Sequence, residues 1–210
     1  MDENESLERA RAQWHWRGKD RPAFADVPKQ GQASVWDFPR PPELVRDERE
    51  IEVWWGETLV ARTLGAWAVR ETSHPPTFYL PLTDVKSALL RPAGRGSFCE
   101  WKGPARYWDL MDGERHLPQV AWGYPNPLAG AEPLAECIAF YAHHLACRVG
   151  GAVAVPQPGG SMADGSPPIC RDHSKASPAV EAGNRIKILG HIAIINHSKL
   201  LCPSKRQHNF

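Results

Sequence analysis

The 210-residue sequence predicts a mainly β single domain with one short and one longer helix. Two observations carry this expectation. Short runs such as Glu50–Trp55 and Ala66–Glu71 alternate apolar and polar residues at the period of a half-buried strand. Turn pairs separate such runs: Gly56-Glu57, and Asp112-Gly113, the second a strong hairpin signal.

Taken in order, residues 4–17 carry good helix formers. Leu7, Ala10 and Trp14 recur at three and four positions, which predicts a short peripheral helix. Residues 18–42 are rich in Pro, Gly and charge and read as a connecting arm anchored by Trp36 and Phe38. Glu50–Trp55 turns at Gly56-Glu57 and returns through Thr58–Arg62 as a hairpin. The next strand, Ala66–Glu71, should break at His74-Pro75-Pro76, because each proline removes a ladder donor. A short strand follows over 77–80, then one or two helical turns near 84–90 and a loop over 92–96.

Residues 97–101, 105–111 and 117–122 read as a meander turned at Gly103-Pro104 and Asp112-Gly113. From Pro133, Leu134, Cys137, Ile138, Tyr141 and Leu145 recur at three and four positions and predict the longer helix over 133–145. A last hairpin turns at Gly150-Gly151. The division expected is an arm over 1–33, a domain over 34–160 and an atypical tail over 161–210. The tail opens in a Ser-, Pro- and Gly-rich stretch that composition reads as disordered.

Composition narrows the function classes. The 25 Lys and Arg nearly balance 24 Asp and Glu, so no global field recruits nucleic acid or an anionic membrane. No apolar run approaches the roughly 20 residues that span a bilayer. The acidic, polar N-terminus is unlike a signal peptide. Five cysteines without a CxxC pair point to reduced thiols and a cytoplasmic location, with no disulfide framework. Structural zinc wants paired ligands at short spacing, and His143-His144 diverge by about 100° on a helix, so no metal or other cofactor is expected. Oligomeric state is not legible.

Several blocks resemble one family in order and spacing. They are Ser34–Pro42, Glu71–Pro81, Ser97–Asp109, Ala121–Pro127, Ile138–Tyr141 and Pro156–Gly160, and together they are similar to the signature of the DUF-427 family over about 34–160. The resemblance implies a β-tent (Mss4-like) fold and no transferable activity. The nucleotidyltransferase-like label that the family sometimes carries needs clustered acids for Mg²⁺. Asp109 and Asp112 only flank a hairpin, and no Gly-rich phosphate loop is present.

The chemistry-bearing residues fall into two groups. Cys99, beside Glu100 and Lys102, could act as a nucleophile with His74 as its base and Glu71 to orient it. Equally, Cys99 could be a small core hydrophobe, with His74 a turn residue. Trp36, Tyr79, Trp101, Tyr107, Trp122 and Tyr124 could instead form an aromatic wall for a small molecule, polarised by Glu71, His74, Glu100 and Lys102. Proteins of the β-tent kind use Trp-lined pockets for ring-shaped ligands, which is an analogy of fold alone. The leading expectation is an unidentified small-molecule ligand. Its alternatives are a thiol- or His-dependent hydrolase or transferase, and a protein-interaction module.

Overall fold

The structure is a computed structural model that describes residues 2–25, 27–28 and 33–154. The expectations for the tail 161–210 lie outside these residues. Strands dominate, as the alternation predicts. Among the described residues one α-helix, α1 (Glu3–Ala12), precedes eleven strands. These are β1 (Glu43–Asp47), β2 (Ile51–Trp55), β3 (Thr58–Thr63), β4 (Ala66–Glu71), β5 (His74–Pro81) and β6 (Leu90–Cys99). After them come β7 (Gly103–Asp112), β8 (Arg115–Gly123), β9 (Cys137–Phe140), β10 (Ala146–Val149) and β11 (Ala152–Val153).

They form a seven-stranded sheet, ordered β1-β4-β5-β9-β8-β7-β6, and a four-stranded sheet, ordered β11-β10-β2-β3. All the strand pairings are antiparallel. Alternation along β5 shows how the layers divide. Phe78 and Leu80 join Ile51, Val53, Val60, Ile138, Phe140 and Cys147 in a core shared by both sheets. Tyr79, between them, faces the other way, into a second cluster with Cys99, Tyr107, Trp122, Tyr141 and Trp14. The larger sheet is therefore buried on both faces around its centre. One face makes the core and the other makes the site.

That double burial explains why the longer helix predicted over 133–145 is not formed. Only a 3₁₀ turn, Glu132–Leu134, occurs there, and Cys137–Phe140 is a strand between β5 and β8. All four of its residues are buried, and a continuously apolar central strand mimics helical spacing. The short helix expected near 84–90 is instead two 3₁₀ turns, Leu82–Asp84 and Ser87–Leu89.

His74-Pro75-Pro76 does not break the sheet either. The turn falls at Thr72-Ser73, and the prolines open β5 where the β4 register slips between Val69 and Glu71. A bulge requires no ladder donor at those positions. Residues 92–96, expected as a loop, belong to β6, an edge strand whose register slips between Pro92 and Gly96. The turn after β6 is Glu100–Lys102, and Gly103-Pro104 begins β7 instead of making that turn.

Candidate functional site

The second cluster holds a cavity of about 280 Å³ on the outer face of the larger sheet. Two turns place its polar groups. The first follows β4: with Thr72-Ser73 as the connection, Glu71 and His74 are cross-strand partners. Ser73 adopts φ 69°, uncommon outside glycine, and its N–H is anchored to the Val35 carbonyl at 3.0 Å. His74 Nδ1 lies 3.1 Å from the Thr72 carbonyl.

The second turn joins β6 to β7 and buries Glu100, Trp101 and Lys102 together. Gly103 makes this possible. Its φ is 98°, and a Cβ there would meet the backbone of Asn126 and Leu128 at 3.2 and 3.1 Å. The Leu128 N–H then closes on the Lys102 carbonyl at 3.0 Å. Lys102 reaches across the cavity, and its Nζ bonds Glu71 Oε2 at 2.9 Å.

Arg40 completes the polar group. Its guanidinium gives N–H bonds to Glu71 Oε1 at 2.8 Å and to the Thr72 carbonyl at 2.9 Å, with His74 Nδ1 3.5 Å away. All three ionic side chains are no more than 8% exposed. Burial alone would raise the Glu71 carboxyl. The charges of Lys102, His74 and Arg40 and the Lys102 hydrogen bond outweigh it and hold the group at about 2. Glu71 is a carboxylate clamped by two cations, and it is a structural charge before it is a proton carrier.

Aromatic side chains supply the walls. All four tyrosines of the chain, Tyr79, Tyr107, Tyr124 and Tyr141, line this one cavity with Trp122. Trp122 and Tyr141 lie nearly stacked, with ring centres 4.3 Å apart and planes 30° off parallel. Trp122 donates its indole N–H to the Tyr79 hydroxyl at 3.1 Å, and Ser97 and Tyr107 pair their hydroxyls at 2.8 Å. Burial pushes the Tyr79 phenol above its ordinary range, against the influence of Lys102. It therefore stays protonated.

The cavity thus brings together Glu71, His74, Cys99 and Lys102 with Tyr79, Tyr107, Trp122 and Tyr124. Three other candidates lie elsewhere. Glu100 faces the N-terminal segment and accepts the Trp14 indole N–H. Trp101 is covered by the Arg11 guanidinium, 5.1 Å from its ring centre. Trp36 sits edge-on to Trp16 and Phe24, at 6.1 and 5.6 Å. Arg40 and Tyr141 belong to the site but were not read from the sequence. The sequence places Arg40 within a Pro-rich arm and Tyr141 on the core stripe of a helix.

Among the described residues, no group of three or more His, Cys, Asp or Glu side chains is placed to hold a metal ion. None of their helices is long and apolar enough to cross a membrane. Residues 43–151, just over half of the chain, match the family model described as Domain of unknown function (DUF427). No curated protein matches the sequence.

Proposed function

The chain belongs to the DUF427 family, whose description names no activity, and on that premise we propose that it binds a small, flat molecule in the tyrosine-lined cavity. One observation carries this reading: every tyrosine of the chain and Trp122 converge on one opening that also holds Lys102, His74 and Glu71. Aromatic walls with a few fixed polar groups are the usual make-up of a ligand site. At about 280 Å³, the space suits one or two fused rings. Two antiparallel sheets with the cavity on the outer face of the larger support the β-tent architecture. The buried free thiols of Cys137 and Cys147 support a reducing, cytoplasmic setting.

The test is a screen of flat aromatic and heteroaromatic fragments by saturation-transfer NMR, run on the wild type and on Trp122→Ala. Fragments that bind the first and not a folded Trp122→Ala support the reading. An unchanged set of binders contradicts it.

A second reading has its own support. Cys99 and His74 line the same cavity, with Lys102 beside them. A thiol needs nearby positive charge to become a nucleophile, and this cavity provides it. Under that reading Cys99→Ser abolishes turnover and leaves fragment binding intact. Under the first reading alone there is no turnover to abolish.

A further inference from the structure

We propose that the N-terminal segment is a strap over the tyrosine-lined cavity, and that its release at Trp14 opens the wall carrying Cys99 and Lys102. The proposal concerns access to the cavity and stands apart from the binding reading above.

The first argument is how little holds the segment down. Of the α1 side chains described, Leu7, Ala10 and Arg11 are half-buried and the others are exposed. An open hollow of about 430 Å³ lies between Ser6, Leu7 and Ala10 on one side and Phe98, Glu100 and Leu128 on the other. A ten-residue helix does not persist alone, and one laid over a gap forfeits packing contacts. The hold is therefore concentrated in Arg11 and in Trp14, which is buried.

The second argument is where these anchors land. Trp14 donates its indole N–H to the Glu100 carboxylate, and Arg11 donates to the Glu100 carbonyl at 2.9 Å. The Arg11 guanidinium also covers the Trp101 ring. Glu100 and Trp101 are the turn between Cys99 and Lys102, and both of those line the cavity. The other face of the anchor is Arg40, 3.3 Å from the centre of the Trp14 ring. Arg40 and Lys102 each bond one oxygen of Glu71, a third lining residue. Each anchor is thus one residue or one ion pair away from the cavity wall.

The third argument is the fixed base of the strap. Gly18, at φ 82°, lies against the Phe38 carbonyl more closely than any side chain would allow. Trp16 sits edge-on to Trp36 nearby. Arg17 bonds the carbonyls of Arg11 and Trp14, so the anchored end is tied together. Trp14 can leave its seat while the segment stays tethered at Gly18. Such weakly packed, hinged segments open below the cost of global unfolding. The coupling is reciprocal: whatever displaces the 100–102 turn from within the cavity also loosens the strap.

Two measurements on the full chain test this. In native-state hydrogen exchange of the wild type, the Trp14 indole N–H reports the strap. The Leu128 N–H, bonded to the Lys102 carbonyl, reports the turn, and the amides of Cys137–Phe140 report the core. The strap and turn reporters should show one common opening, at least about tenfold more frequent than that of the core. An opening of Trp14 that leaves Leu128 as protected as the core overturns the proposal. In Trp14→Ala, iodoacetamide at pH 8 should modify Cys99 at least about tenfold faster than in the wild type, with Cys137 and Cys147 unchanged. An unchanged Cys99 rate overturns the gate, and so does an equal acceleration of all three thiols, which is global unfolding. If Trp14→Ala does not fold, the wild-type exchange decides alone.

Discussion

Trp14 donates its indole N–H to Glu100, two residues before Lys102 in the turn that carries that lysine into the cavity. The Arg40 guanidinium lies 3.3 Å from the centre of the Trp14 ring, and Arg11 donates to the Glu100 carbonyl at 2.9 Å. The N-terminal segment is thereby fastened behind the site. It braces both cations that clamp Glu71.

Removing that brace should cost stability. Trp14→Phe keeps the ring over Arg40 but leaves the buried Glu100 carboxylate without its donor, at about 1–3 kcal/mol. Urea denaturation of the variant should show a lower midpoint with an unchanged slope. Adding Glu100→Gln should recover part of the loss. A midpoint equal to that of the wild type would mean that the segment is not fastened through this bond.

The clamp itself should be more sensitive. Glu71→Gln leaves Arg40 and Lys102 buried without their common carboxylate, and breaking a buried ionic group costs about 3–5 kcal/mol. Equilibrium unfolding should place this variant well below the wild type, and below any substitution of an exposed acid such as Glu43. A loss under about 1 kcal/mol would show that the two cations find other partners.

Acid should expose the same group. The Glu71 carboxyl is held at about 2, below its ordinary 4.5, so its contribution is complete above the ordinary value and is lost as pH falls through the folded one. Wild-type stability should decline between about pH 4.5 and pH 2, and Glu71→Gln should follow a flatter curve over that window. Parallel curves would remove Glu71 from the account.

The cysteines should react in a fixed order. Burial pushes the Cys137 thiol up to about 11 and Cys147 to about 12, so both are almost entirely protonated and inert near neutrality. Cys99 is the one of the three that lines the cavity. Iodoacetamide at pH 8, read by peptide mass spectrometry, should modify Cys99 before Cys137 or Cys147. Labelling of Cys137 or Cys147 first would contradict the placement of the three thiols.

Much of the architecture was legible because strand alternation has local causes. The β2–β3 hairpin turns at Gly56-Glu57, and β7–β8 at Asp112-Gly113, as their residues dictate. Where the reading failed, tertiary burial had overridden a local pattern. Leu134, Cys137, Ile138 and Tyr141 have helical spacing, yet Cys137–Phe140 is apolar throughout because sheet covers it on both edges and side chains cover both faces. The site divided in the same way. Strand alternation continued through 97–101 would place Cys99 and Trp101 on one face and Glu100 on the other. A turn at 100–102 instead buries Cys99, Glu100, Trp101 and Lys102, and it sends Glu100 and Trp101 toward the N-terminal segment. Arg40 was invisible because its partners Glu71 and Thr72 lie some thirty residues on. No local pattern announces such a contact.

The most direct test of the binding site watches the tryptophans themselves. In protein carrying ¹⁵N-labelled Trp, with indole N–H signals assigned by single Trp→Phe replacements, the flat aromatic fragments that bind the wild type are titrated in turn. The account predicts that the Trp122 signal shifts to saturation while those of Trp36 and Trp101 stay in place. Movement of Trp36 or Trp101 with a stationary Trp122 would put any binding outside the tyrosine-lined cavity and contradict the central claim.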